Sequence, residues 1–221
     1  MKQQIIIYGA GDFGKLMLYH FTHDSQFEVV AFCLDNQYLT TDTFCSLPVI
    51  AFESIENHFP ASEYPMFIAI GYSNMRNRSI MFNKAKDKHY QLINFISGKA
   101  IVRDDLIIGE NNAIFSSSDI EPNVTIGNNN IFWTRSILGH GVKIGDHNYF
   151  SGGAGLGGNC IIGDYCFLGN AALMINGITI ADETFLVAGA VILRDSELAT
   201  KYHGNPARRV SQHLETGIII Q

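Results

Sequence analysis

Basic residues are few in this chain: 15 Lys and Arg stand against 21 Asp and Glu, for a net charge of −6, with no long run of either cation. That balance argues against a nucleic-acid surface, which needs a cationic footprint. No apolar stretch approaches the ~18 residues of a membrane-spanning helix. The first residues read at once as a folded strand instead of a charged leader with a greasy segment behind it. A cytoplasmic protein with small-molecule partners and no membrane contact is expected. Cysteines number four, Cys33, Cys45, Cys160 and Cys166, without zinc-type clustering, and are expected to be reduced core residues. Proline is nearly absent after residue 100. What remains, 47% hydrophobic and 16% charged residues over 221 positions, suits two modest packed domains, placed at residues 1–98 and 99–221.

From Val102 every sixth residue is large and apolar for ninety positions: Ile108, Ile114, Ile120, Ile126, Phe132, Leu138, Ile144, Phe150, Leu156, Ile162, Leu168, Met174, Ile180, Leu186 and Ile192. Six fits neither a helix face nor plain strand alternation, and predicts a coil whose short strands each turn one large side chain inward. Two residues earlier the side chain is often small or slim, as at Ser118, Val124, Ala154, Cys160 and Ala172. Glycine follows the ladder residue at Gly109, Gly127, Gly139, Gly145, Gly157, Gly163 and Gly169, which suggests corners with unusual backbone angles. Asn is frequent, consistent with stacked turns. Three hexads would make one triangular turn.

Before the ladder, Lys2 to Tyr8 reads as a strand, Gly9-Ala10-Gly11-Asp12-Phe13-Gly14 as a glycine loop, Lys15 to His23 as a helix and Phe27 to Leu34 as a strand ending at Asp35. This is a βαβ unit carrying Gly-x-Gly-x-x-Gly in its proper context. Its glycines would let the backbone approach a phosphate at the helix N-terminus, with Asp35 facing a sugar or base. A helix near Phe52 to His58, a strand Met66 to Ile70, a helix Arg76 to Lys88 and a strand Gln91 to Ile96 follow. Only half of a dinucleotide fold is present, which suits a mononucleotide better than a nicotinamide cofactor. A tight turn without any ligand remains the other reading of the loop.

The ladder, its glycines and this domain order resemble the hexapeptide-repeat sugar acyltransferases of the bacillosamine, perosamine and sialic acid type. The resemblance implies an N-terminal α/β domain with a Rossmann-like half and parallel sheet, then a left-handed parallel β-helix over roughly residues 101–209. It implies a nucleotide-linked sugar held by Gly9, Gly11, Gly14, Asp35, Gly71, Asn74 and Arg76, and acetyl-CoA as cosubstrate with no metal. His140, in Leu138-Gly139-His140-Gly141, falls where that family has its general base, followed by Ile144-Gly145-Asp146. By the same register the Gly158 amide would donate to the thioester carbonyl, Asn159 and Ala188 would border the pantetheine arm, and Arg208 and Arg209, in Gly204-Asn205-Pro206-Ala207-Arg208-Arg209, would pair with coenzyme A phosphates. His147 is read as structural. Gamma-type carbonic anhydrases share such solenoids but bind zinc through three histidines, a set that His140 and His147 do not supply.

Departures from the family pattern fall on the acceptor side. The acid that commonly follows the catalytic His is Gly141, the His often found nine residues on is Tyr149, and a His sometimes seen in the glycine loop is Phe13. With no acid at Gly141 the base lacks its usual orienting group, which mildly favours an amine acceptor over a hydroxyl. The expected activity is N-acetylation of a nucleotide-linked amino sugar in bacterial surface-glycan synthesis, by a homotrimer with acyl sites between neighbouring solenoids. Sugar O-acetylation and a non-catalytic nucleotide-sugar scaffold are the alternatives. The apolar end Gly217-Ile218-Ile219-Ile220 is expected to dock as a strand on its own or a neighbouring chain.

Overall fold

The computed structural model of the protein describes residues 2–220. It divides into two compact units: residues through Gly71 with Ile80–Phe95, and Tyr72–Ser79 with the chain from Ile96 onward. The main change of unit therefore falls at Phe95–Ile96, and the short segment Tyr72–Ser79, which follows Gly71 in sequence, groups with the second.

In the first unit β1 (Gln3–Tyr8), α1 (Asp12–His23), β2 (Phe27–Leu34), β3 (Thr43–Phe44), β4 (Leu47–Ala51) and β5 (Met66–Ile68) form a five-stranded sheet in the order β3-β4-β2-β1-β5. All neighbours pair in parallel except β3 and β4. Ile5, Ile6, Ile7 and Tyr8 are wholly buried, as expected of a central parallel strand covered on both faces. Helix α1 buries Gly14, Met17 and Phe21, a stripe at helical spacing. The β3–β4 hairpin was not foreseen: its two-residue turn is Cys45-Ser46, both with positive φ (50° and 65°), where Asn-Gly is the usual signal. Cys45 is consequently exposed, while Cys33, Cys160 and Cys166 are buried thiols. The segment after β4 is a 3₁₀ stretch, Phe52–Asn57, and the expected strand at residues 91–96 shrinks to a bridge at Leu92 and the pair Phe95–Ile96.

The second unit is a left-handed parallel β-helix of two-residue strands. Its first face runs from Ile101–Val102 to Val191–Ile192 in six strands, and its second from Ile107–Ile108 to Thr179–Ile180 in five. The third includes Ala113–Ile114 through Phe185–Leu186 and is extended by Thr200–His203 in parallel and Arg208–Gln212 antiparallel to it. Partners lie one coil apart, as Ile120 with Leu138 and Phe132 with Phe150. The ladder residues from Ile114 to Ile192 are buried, and the slim residues two places earlier, such as Ser118, Val124, Ala154 and Cys160, are fully so.

The corner glycines have a different reason from the expected one. None of the seven that follow ladder residues has a positive φ. Coils stack too closely for a side chain: a Cβ on Gly127 would stand 2.7 Å from the Gly145 carbonyl oxygen. Left-handed angles occur elsewhere in the corners, at Asn123, Asn129 and Asn159 among others. Other Asn residues line the interior. Asn112, Asn130 and Asn148 form a ladder in which each Oδ1 accepts a backbone N–H of the next coil and each Nδ2 donates to the carbonyl of Gly127, Gly145 or Gly163. Buried corner backbone is thereby satisfied without water.

Candidate active site

His140 occupies the corner between the first-face strand Ile137–Leu138 and the second-face strand Lys143–Ile144. Its side chain is 59% exposed. Oε2 of Glu121, in the preceding coil, accepts the His140 backbone N–H at 2.7 Å and lies 3.3 Å from Nδ1. In the following coil the ring lies against Gly158, where a Cβ would be 2.4 Å from Cε1 and 2.7 Å from Nε2. Gly158 is thus bare because the imidazole needs the space. Its amide donates to Asn176 Oδ1 at 3.1 Å, so the donor expected for a thioester carbonyl is already engaged within the chain. Asn159 has φ 58° and donates its backbone N–H to the His140 carbonyl at 2.7 Å. Gly141 has φ +69°, and a Cβ there would meet Asn159 Oδ1 at 2.3 Å.

Ala188 lies at another corner, between Phe185–Leu186 and Val191–Ile192, so one solenoid does not bring it to His140. It lines a cavity of about 550 Å³ whose walls include Tyr72, Trp133, Tyr149, Phe167 and Phe185, with Thr134, Ser151 and Asn170 supplying polar groups. Tyr149 stacks on Phe167 with centroids 5.2 Å apart, and Tyr72 tilts over Tyr149 at 4.7 Å. Burial pushes the Tyr149 phenol above its ordinary pKa. Residues 149, 167 and 185 point outward from one face at one-coil spacing, a regularity that the inward ladder masks in the sequence. Near the end, the Gly204 carbonyl accepts the Val191 N–H and the Ala207 N–H returns to the Val191 carbonyl, closing the first face. Arg208 and Arg209 follow on an exposed strand, Arg209 pairing with Glu197 at 3.1 Å.

Several expected nucleotide contacts have partners of their own. Asp35 is buried, its two oxygens taken by the Tyr8 hydroxyl and by Lys84 Nζ at 2.7 Å. It therefore closes the end of β2 instead of facing outward. Burial and the adjacent Asp35 push the Tyr8 phenol up. Asn74 Oδ1 accepts the Arg76 N–H at 3.1 Å and caps α2 (Met75–Asp87). Arg76 grips Glu183 at 2.5 and 2.8 Å and the carbonyls of Leu214 and Glu215, both at 2.9 Å. That clamp holds the C-terminal tail on its own chain, where Ile219 bridges Asn74 antiparallel. Of the loop glycines, Gly9 (φ +125°) and Gly14 are demanded by packing, since a Cβ would come within 2.5 Å of the Ala69 oxygen and 2.0 Å of the Gly9 oxygen. Gly11 and Gly71 have nothing within 4 Å of a Cβ, so packing within the chain does not require glycine at either position.

His147, in the next corner, is buried (7% exposed), with Nδ1 3.0 Å from Asn129 Nδ2 and its ring stacked on Tyr165. Burial lowers its pKa to about 4, assisted by Arg78 and opposed by Asp146. Among the described residues no group of three or more His, Cys, Asp or Glu is disposed to hold a metal, and no helix is long and apolar enough to cross a membrane.

Residues 4–85 match the PglD N-terminal domain family. No curated protein matches the chain in sequence. Among solved structures, WeeI from Acinetobacter baumannii AYE is 27% identical with a TM-score of 0.79, over 94% of this chain and 100% of that one. A mutant perosamine N-acetyltransferase from Caulobacter crescentus, in complex with CoA and GDP-perosamine, is 24% identical with a TM-score of 0.84, over 95% and 97%. The acetyltransferase domain of PglB from Neisseria gonorrhoeae FA1090 is 24% identical with a TM-score of 0.82, over 95% and 100%. These likenesses span both units and establish that the chain has the two-unit fold of such proteins.

Proposed function

We propose that the protein is an acetyl-CoA-dependent acetyltransferase that acylates the amine of a nucleotide-linked sugar, with His140 as general base, in bacterial surface-glycan synthesis. The observation that carries the reading is the exposed imidazole of His140 at a solenoid corner, with a carboxylate at Nδ1 and Nε2 turned away from it. Perosamine N-acetyltransferase, which binds CoA and GDP-perosamine, and the acetyltransferase domain of PglB, which binds acetyl coenzyme A, share the fold and support the choice of donor and acceptor.

In this reading Nε2 takes a proton from the attacking amine as the new N–C bond forms at the thioester carbonyl. Cleavage of the C–S bond then returns that proton to the departing thiolate. The carbonyl oxygen becomes negative on the way and needs a donor. The Gly158 amide serves if Asn176 releases it. The pantetheine arm runs by Asn159 and Ala188, and Arg208 and Arg209 meet the phosphates. A homotrimer sets the Ala188 corner of one solenoid against the His140 corner of the next, covering exposed apolar residues such as Ile107, Ile137, Ile161 and Leu173. The nucleotide lies against the glycine loop and Gly71, with Gly11 and Gly71 at closest approach. Asp35, Asn74 and Arg76 support this reading only as framework.

O-acetylation is a second reading, and Glu121 favours it more than the sequence did. The argument for nitrogen from a poorly oriented base loses its premise once a carboxylate stands at Nδ1. Thiol release from acetyl-CoA, followed with UDP-, dTDP- and GDP-sugars in paired amino and hydroxyl forms, separates the two. Turnover on one amino sugar supports the proposal. Turnover only on the hydroxyl counterpart moves it to O-acylation, and absence of coenzyme A binding overturns both in favour of a scaffold.

A further inference from the structure

We propose that Glu121 is the positioning residue for His140, holding the imidazole with Nδ1 protonated and Nε2 bare toward the acceptor. The inference deepens the acetyl-transfer reading and takes its catalytic meaning from it. Its structural content stands separately.

Both ends of the contact are anchored. The Glu121 N–H donates to the Leu138 carbonyl at 3.0 Å, and the Gly141 N–H donates to the Pro122 carbonyl at 3.0 Å. The backbone carrying the acid is therefore tied to the chain on either side of His140. From that base Oε2 takes the His140 N–H at 2.7 Å and stands 3.3 Å from Nδ1. Across the ring, Gly158 leaves no more room than the imidazole fills.

The chemistry follows from the inventory of donors. A carboxylate only accepts, so the ring nitrogen facing it carries the proton, and in the neutral ring the lone pair is then on Nε2. When Nε2 takes a proton, the same carboxylate stabilises the imidazolium. The position after His140 is poorly suited to this task here, because a side chain at Gly141 would adopt a left-handed φ of +69° and meet Asn159 Oδ1. The acid comes instead from the previous coil, 19 residues earlier.

The test uses the full chain labelled with ¹⁵N-histidine, the His140 resonances being identified by their loss in His140→Asn. Long-range ¹H–¹⁵N spectra report the tautomer. The wild type is expected to be predominantly Nδ1–H. In Glu121→Gln, whose amide can donate to Nδ1, the population is expected to shift toward Nε2–H, and in Glu121→Ala toward a mixture. With an accepted sugar, kcat is expected to fall by at least about 10- to 100-fold, the loss found when a metal-bound His loses its outer hydrogen-bond partner, with KM for acetyl-CoA little changed and partial recovery in Glu121→Asp. An Nδ1–H population unaltered in Glu121→Gln overturns the proposal, as does a fall in kcat without a tautomer shift. If no acceptor is ever turned over, the acetyl-transfer reading fails while the spectra still decide what Glu121 does.

Discussion

Two neighbouring corners of the solenoid each carry a histidine, seven residues apart in sequence, and they differ in almost every other respect. At the His147 corner the repeat is complete. Asn128, Asp146, Asp164 and Asp182 stack so that each Oδ1 accepts the backbone N–H of the residue one coil below, beside the interior Asn ladder. His147 is absorbed into that network, buried and neutral. At the His140 corner the stack is interrupted by a glutamate from an offset position, a bare glycine and an exposed ring. Where the repeat satisfies itself it makes framework, and where it is broken it leaves groups free to act on something else.

Predictions that break this contrast begin with His140. His140→Asn is expected to lower turnover about 10²- to 10⁴-fold, the usual loss with a general base, while thermal unfolding stays unchanged; thiol release from acetyl-CoA measures it. A variant that kept full turnover would make the two histidines equivalent bystanders.

For His147 the effect is on stability. Its folded pKa of about 4 lies below the ordinary 6.5, so below pH 6.5 the unfolded chain binds the proton that the folded chain refuses. The stabilisation is complete above that pH and is lost as pH falls toward 4, amounting to about 3 kcal/mol from the difference in pKa. Denaturant unfolding across pH 4–7 in wild type and His147→Gln isolates this contribution from that of the acid stack. Equal slopes would show that burial does not perturb the ring.

Gly158→Ala joins the two cases, since it inserts a Cβ where the His140 ring lies without touching the interior ladder. A displacement of about 1 Å at a base costs on the order of 10²-fold in rate, so kcat should fall by that order with little change in unfolding temperature. An active Gly158→Ala enzyme would mean that the ring works from another rotamer. The smallest effect belongs to Arg76→Ala. Its guanidinium is partly exposed while its partner Glu183 is buried, and amide exchange over residues 214–220 should accelerate while the coils are unaffected.

The ladder was legible because every coil repeats the same inward register, and small residues two places before it confirmed how the interior narrows. The glycines were located correctly but explained wrongly, since coil-to-coil spacing, invisible in one dimension, is what excludes their side chains. Glu121 went unseen for a related reason. It lies one residue off the coil period from His140, and only stacked coils bring the two together. Asp35 was read as a ligand contact from the glycine-loop motif and Arg76 from the family resemblance, and their partners Lys84 and Glu183 are distant in sequence. The hairpin at Cys45-Ser46 carries no recognisable turn signal at all.

Glu121, His140 and Gly158 belong to three successive coils, and this constrains how the gene can change. In the proposed mechanism, even a perfectly in-phase duplication between residues 121 and 158 would separate acid from base or base from seat. In that mechanism the stretch is copied as a unit or not at all.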